Sequence, residues 1–106
     1  MNKLVRDNII TMIENQNKKC QYEYLDDESF EKYLREKILE EAKEVYDCDN
    51  TDKLIEEIAD VLEVLDALIE FHNLDMNVIL KVKNQKNLTN GKFQKRILLK
   101  EIEDTF

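Results

Sequence analysis

Apolar side chains recur at helical spacing in four stretches of the chain. The first runs from about Val5 to Gln16, with Val5, Ile9, Ile10, Met12 and Ile13 on one side. The second, from about Glu28 to Tyr46, gathers Phe30, Tyr33, Leu34, Ile38, Ala42 and Val45 into one arc, which Cys48 extends. Asp27 or Ser29 is placed to cap it. The third runs from about Thr51 to Phe71 behind Asn50 or Thr51 as N-cap, and its apolar residues cover more than half of the helical wheel. The fourth, Met76 to about Leu88, carries Met76, Ile79, Leu80 and Val82 and stops at Asn90-Gly91. Asn17–Asp27 is expected as a connection with Tyr22–Leu25 briefly extended. Lys92–Phe106 is expected as a short arm or a last helical turn. The pattern therefore predicts an all-α fold, an antiparallel bundle of about four helices in one domain spanning 1–106.

Composition narrows this picture. The 106 residues contain one Gly and no Pro, which disfavours a turn-rich β architecture and fits long helices with short polar connections. No apolar run is long enough to span a membrane. The start MNKLVRDNII lacks the apolar core and small-residue cleavage site of a secretory signal, so a cytoplasmic location is expected. Cys20 and Cys48 fit no CxxC pattern and are expected as reduced thiols.

The net charge of −8 is unevenly spread. Residues 23–70 hold 18 acidic and 5 basic side chains, and the remainder holds 6 and 11. An acidic middle with basic ends lacks the continuous basic surface that nucleic acid requires. It suits a cation held in the middle with anionic groups gripped from the ends; a solubilising helix surface explains charge alone equally well.

Position on the wheel separates these readings. Glu41 falls near the middle of the apolar arc of the second helix, between Leu34, Ile38 and Val45, and Glu44 lies at its edge. Glu40 points further out, as a surface residue would. On the third helix Glu57 sits among Val61, Val64 and Leu68, and Asp60 among Val64, Ala67 and Phe71. Each helix thus presents two carboxylates three residues apart on one face. Poorly solvated carboxylates either gain protons or bind a cation. An all-oxygen ligand set selects a hard cation, Mg²⁺ first and Mn²⁺ second. A di-iron carboxylate centre would need Glu-x-x-His motifs. The single histidine, His72, has no Glu three residues before it and reads as a helix-end residue facing solvent. The chemistry that follows from a carboxylate-bound Mg²⁺ is attack of water on a phosphoanhydride.

Glu40-Glu41-Ala42-Lys43-Glu44 followed by Glu57-Ile58-Ala59-Asp60 resembles the EExxE…ExxD signature of the MazG-like all-α nucleoside triphosphate pyrophosphohydrolases. Lys3-Leu4-Val5-Arg6-Asp7 and Gly91-Lys92-Phe93-Gln94-Lys95-Arg96-Ile97 look like segments of the small phosphoribosyl-ATP pyrophosphohydrolase-like branch. The resemblance implies that Glu41, Glu44, Glu57 and Asp60 are the metal ligands and catalytic residues, with Glu40 beside them. It implies cleavage of a nucleoside triphosphate between its α- and β-phosphates, giving a nucleoside monophosphate and pyrophosphate. Lys3, Arg6, Lys92, Lys95 and Arg96 are then candidate phosphate contacts, and Arg96 leads because a guanidinium binds phosphate bidentately. Lys3 and Arg6 serve equally well as structural ties from the N-terminus to the acidic helices. Ile10 stands where the branch usually has Pro, and Asn90-Gly91-Lys92 has one glycine where two are common. Phosphoribosyl-ATP is the second substrate reading, and a non-catalytic helical dimer or nucleotide-binding module is the third. The apolar arc of the third helix is too wide for one antiparallel partner, so a homodimer completing the bundle is expected.

Overall fold

The computed structural model describes residues 2–104. Four helices are present, α1 (Ile9–Glu14), α2 (Asp27–Asp47), α3 (Thr51–Phe71) and α4 (Met76–Asn90), with no strand among the described residues. The chain is all-α. No helix among the described residues is long and apolar enough to cross a membrane. The chain divides after Asn73 into two compact units, each described by itself.

The first unit is built on an antiparallel hairpin of α2 and α3. The Asp26 carboxylate accepts a hydrogen bond from the Ser29 backbone N–H (2.9 Å) and caps α2 one residue earlier than Asp27. That bond holds the Asp26 carboxyl below the usual carboxylate range. Asn50 caps α3 by accepting from the N–H groups of Asp52 and Lys53 at 2.9 and 3.1 Å. Only Cys48–Asn50 separates the two helices, so they fold back on each other. The Cys48 thiol donates to the Asn50 carbonyl (3.3 Å), and both cysteines are free. At the far end the Phe30 and Phe71 rings meet edge to face at 5.6 Å.

α3 carries two apolar seams, offset by one residue and each spaced by threes and fours. Leu54, Val61, Val64, Leu68 and Phe71, with Glu57 among them, form the half-buried seam. Ile55, Ile58, Leu62 and Leu65 form the other, and all four are exposed, Ile55 by 65% and Leu62 by 56%. In consequence no residue of α3 is buried, and the core of the unit reduces to Leu34 at 3% exposure.

α1 is shorter than the pattern predicts. It starts at Ile9 rather than Val5, and the Asn8 side chain makes no capping bond. The preceding residues are irregular, and the Lys3 and Arg6 side chains there are tied to acids of α2 and α3 (below). Residues 22–25 form no strand.

The chain turns with one glycine because asparagine takes the left-handed positions. Asn17 and Asn73, just past α1 and α3, have φ of +59° and +52°. Asn tolerates that region through its short polar side chain.

In the second unit α4 is capped by the Asp75 carboxylate on the Asn77 N–H (2.8 Å). It runs to Asn90, two residues beyond Leu88, and Gly91 ends it with φ of +82°. The following segment is neither an extended strand nor a helix. A turn closes from the Arg96 N–H to the Phe93 carbonyl (3.3 Å), with Arg96 itself left-handed at φ +56°. Residues 105 and 106 of the expected arm lie outside the described residues.

Candidate metal centre

The α2–α3 hairpin brings three acids together. Glu41 and Glu44 project from α2 and Glu57 from α3, and one carboxylate oxygen from each lies within 4.8 Å of the others. The apolar arcs that hold the helices together produce this meeting, because Glu41 and Glu57 occupy positions inside those arcs. Glu41 is buried at 8% exposure, as its place among Leu34, Ile38 and Val45 requires. Glu57 is half-buried and Glu44 is exposed.

Glu41 Oε2 and Glu57 Oε2 are both shielded from solvent and have no hydrogen-bond partner. Glu41 Oε1 has the Lys37 ammonium at 3.5 Å, which compensates one side of the carboxylate only. A shielded carboxylate oxygen without a partner is costly, and two of the three clustered glutamates carry one. Glu57 is pushed above the usual carboxylate range. The chief cause is a proton shared with Glu44; burial and the charges of Glu44, Asp60 and Glu41 act in the same direction. All-oxygen donors at this spacing, short of positive charge, fit a hard divalent cation in place of that proton.

Asp60, the fourth acid predicted as a ligand, faces the same side of α3 one turn after Glu57 but is engaged elsewhere. Its Oδ1 accepts from Arg6 Nη2 at 2.8 Å. Glu40 is less free than the wheel suggests: it is half-buried between Lys3 (3.1 Å) and Lys37 (3.4 Å). The Lys3 bond holds its carboxyl below the usual range, and the same bond raises the Lys3 ammonium. Lys3 and Arg6 therefore make the structural ties that were one of their two readings. A groove of about 380 Å³ lies beneath this N-terminal segment, lined by Arg6, Phe30, Leu34, Lys37, Glu41 and Asp60. Lys92, Lys95 and Arg96 are exposed in the second unit.

Two contacts escaped the sequence reading. Lys37 sits three and four residues before Glu40 and Glu41, a spacing that signals helical ion pairs. His72 does not simply face solvent: its Nε2 lies 2.8 Å from Glu31 Oε1, and the Phe71 ring packs against it. Glu31, shared with Arg35, is held below the usual carboxylate range by the Arg35 bond first and the His72 bond second. No local signal links residues 41 positions apart.

No family model matches the chain, and comparison with curated proteins and with solved structures gives no match either.

Proposed function

We propose that the chain is a Mg²⁺-dependent nucleotide pyrophosphohydrolase of the MazG-like kind, cleaving a nucleoside triphosphate between its α- and β-phosphates in a nucleotide-pool role. The observation that carries the reading is the clustering of Glu41, Glu44 and Glu57, of which Glu41 and Glu57 each keep a buried oxygen without a hydrogen-bond partner. Glu41, Glu44 and Glu57 hold the cation, and Asp60, one turn on, joins them once it is released from Arg6. Mn²⁺ has the same donor preference and substitutes for it. A divalent ion in such a site neutralises phosphate oxygens and lowers the pKa of bound water. Lys37 stays beside Glu41 and fixes its rotamer, and Glu40 anchors Lys3 next to the cluster.

The active form is a homodimer in the cytoplasm. Support comes from the exposed Ile55–Ile58–Leu62–Leu65 seam, which leaves α3 without a single buried residue. A second copy of the same seam is self-complementary about a two-fold axis.

The test is pyrophosphate release from a panel of standard, deoxy and damaged nucleoside triphosphates and phosphoribosyl-ATP. Glu41→Gln and Asp60→Asn should each abolish release while the circular dichroism spectrum stays helical. Full turnover in both variants, or no turnover and no Mg²⁺-dependent thermal shift in the native chain, defeats the reading.

A further inference from the structure

Residues 2–8 meet the acidic helices at two points. Arg6 reaches Asp60 of α3, and Lys3 reaches Glu40 of α2, the immediate neighbour of Glu41. Little else fixes this segment. Its only partly buried member is Leu4, and α1 behind it is six residues long with no buried residue and no side-chain cap. Both ion pairs are solvent-accessible, with the Arg6 and Asp60 side chains 59% and 40% exposed. Such pairs are weak and yield readily to a competing charge.

Asp60 is where the competition falls. It stands one helical turn from Glu57, on the face that carries the three-glutamate cluster, yet Arg6 occupies its carboxylate. A guanidinium and a divalent ion cannot both take the same carboxylate lone pairs, and they repel each other across the short distance between them. Lys3 stands under the same repulsion, because Glu41 and Glu44 attract it as well as Glu40.

We propose that residues 2–8 form a strap latched by Arg6 on Asp60 and Lys3 on Glu40, and that a divalent cation at the glutamate cluster displaces Arg6 from Asp60 and unlatches it. The inference rests on the cation reading of the cluster and adds a regulation of it. The latched strap forms one wall of the groove over Phe30 and Leu34, and cation entry frees Asp60 as a ligand and Arg6 as an anion-binding group. Coupling is reciprocal: whatever removes the latch tightens cation binding.

Trypsin reads the latch directly, because cleavage requires a free Arg6 side chain. In the native chain, Mg²⁺ should accelerate cleavage after Arg6 several-fold over EDTA, followed by intact mass. In Asp60→Asn the cleavage should be fast with or without Mg²⁺. By calorimetry with Mg²⁺ alone, Arg6→Gln should bind about two- to fivefold tighter than the native chain, the range set by an exposed ion pair. Lys53→Gln, which removes an exposed charge elsewhere on α3, controls for net charge and should show no comparable gain. Mg²⁺ binding without faster cleavage, or equal gains in Arg6→Gln and Lys53→Gln, overturns the strap and leaves the cation site standing. Absence of Mg²⁺ binding to the native chain overturns the cation site, and the strap exchange falls with it.

Discussion

Replacing Leu62 by Ala tests the second seam of α3 at a point where the folded protomer has little at stake. Leu62 is 56% exposed, so the protomer buries less than half of what truncation removes. Burying a leucine side chain completely stabilises by about 1.5–3 kcal/mol relative to exposure. The exposed fraction leaves roughly 1–1.5 kcal/mol for a partner to gain at each copy. A two-fold interface contains the position twice, so the variant should lose about 2–3 kcal/mol of association free energy. That corresponds to a dissociation constant about 30- to 150-fold weaker. Sedimentation equilibrium over a concentration series measures it. Circular dichroism melting at a dilution where the native chain is monomeric checks the protomer, which should lose roughly 1 kcal/mol, the share of the side chain it already buries. A native mass near 12.7 kDa at micromolar concentration refutes the reasoning, and so does an unchanged dissociation constant in Leu62→Ala.

Leu34→Ala should destabilise the first unit by about 2–5 kcal/mol in chemical denaturation, because Leu34 is the buried apolar side chain among the described residues. A loss below ~1 kcal/mol would show that the site collapses around the gap. Asn50→Ala should cost about 1 kcal/mol, since it deprives two N–H groups of α3 of their acceptor. Asn50→Asp, which keeps an acceptor, should recover most of that loss. In EDTA, Glu57→Gln should raise Tm at pH 7. Glu57 has a raised folded pKa, so its ionisation penalises the fold above that pKa, and the penalty vanishes below the ordinary Glu range. The advantage of the variant should shrink as pH falls through that window; an advantage that grows on acidification contradicts the assigned repulsion.

Local rules sufficed for the helices that carry the site. α3 begins at Thr51 and ends at Phe71 as the pattern predicts, because an Asn N-cap and sustained apolar periodicity act within one or two turns. Glu41 inside the apolar arc of α2 was legible for the same reason: the wheel fixes which neighbours a helical residue keeps, and the structure buries it. Glu57 was legible as a misfit but only half as buried as its neighbours suggest, because its seam is covered by one helix alone.

Where distant segments meet, the sequence offered Lys3 and Arg6 as ties to the acidic helices but named none of their partners. The wheel treats Glu40 as free surface and Asp60 as one more embedded acid, and cannot show that Lys3 and Arg6 reach them from more than 30 residues away. His72 on Glu31 belongs to the same class.

By itself the amino-acid sequence determined four helical segments and the two carboxylate pairs set into apolar arcs. These depend on periodicity and capping, whose range is a few residues. Only the tertiary structure decided that three of the four acids converge within 4.8 Å and that the fourth answers to Arg6. It also decided which of the two α3 seams the hairpin covers. Helix periodicity sets the angle between two side chains on one helix, whereas the distance between side chains on two helices depends on how their surfaces pack.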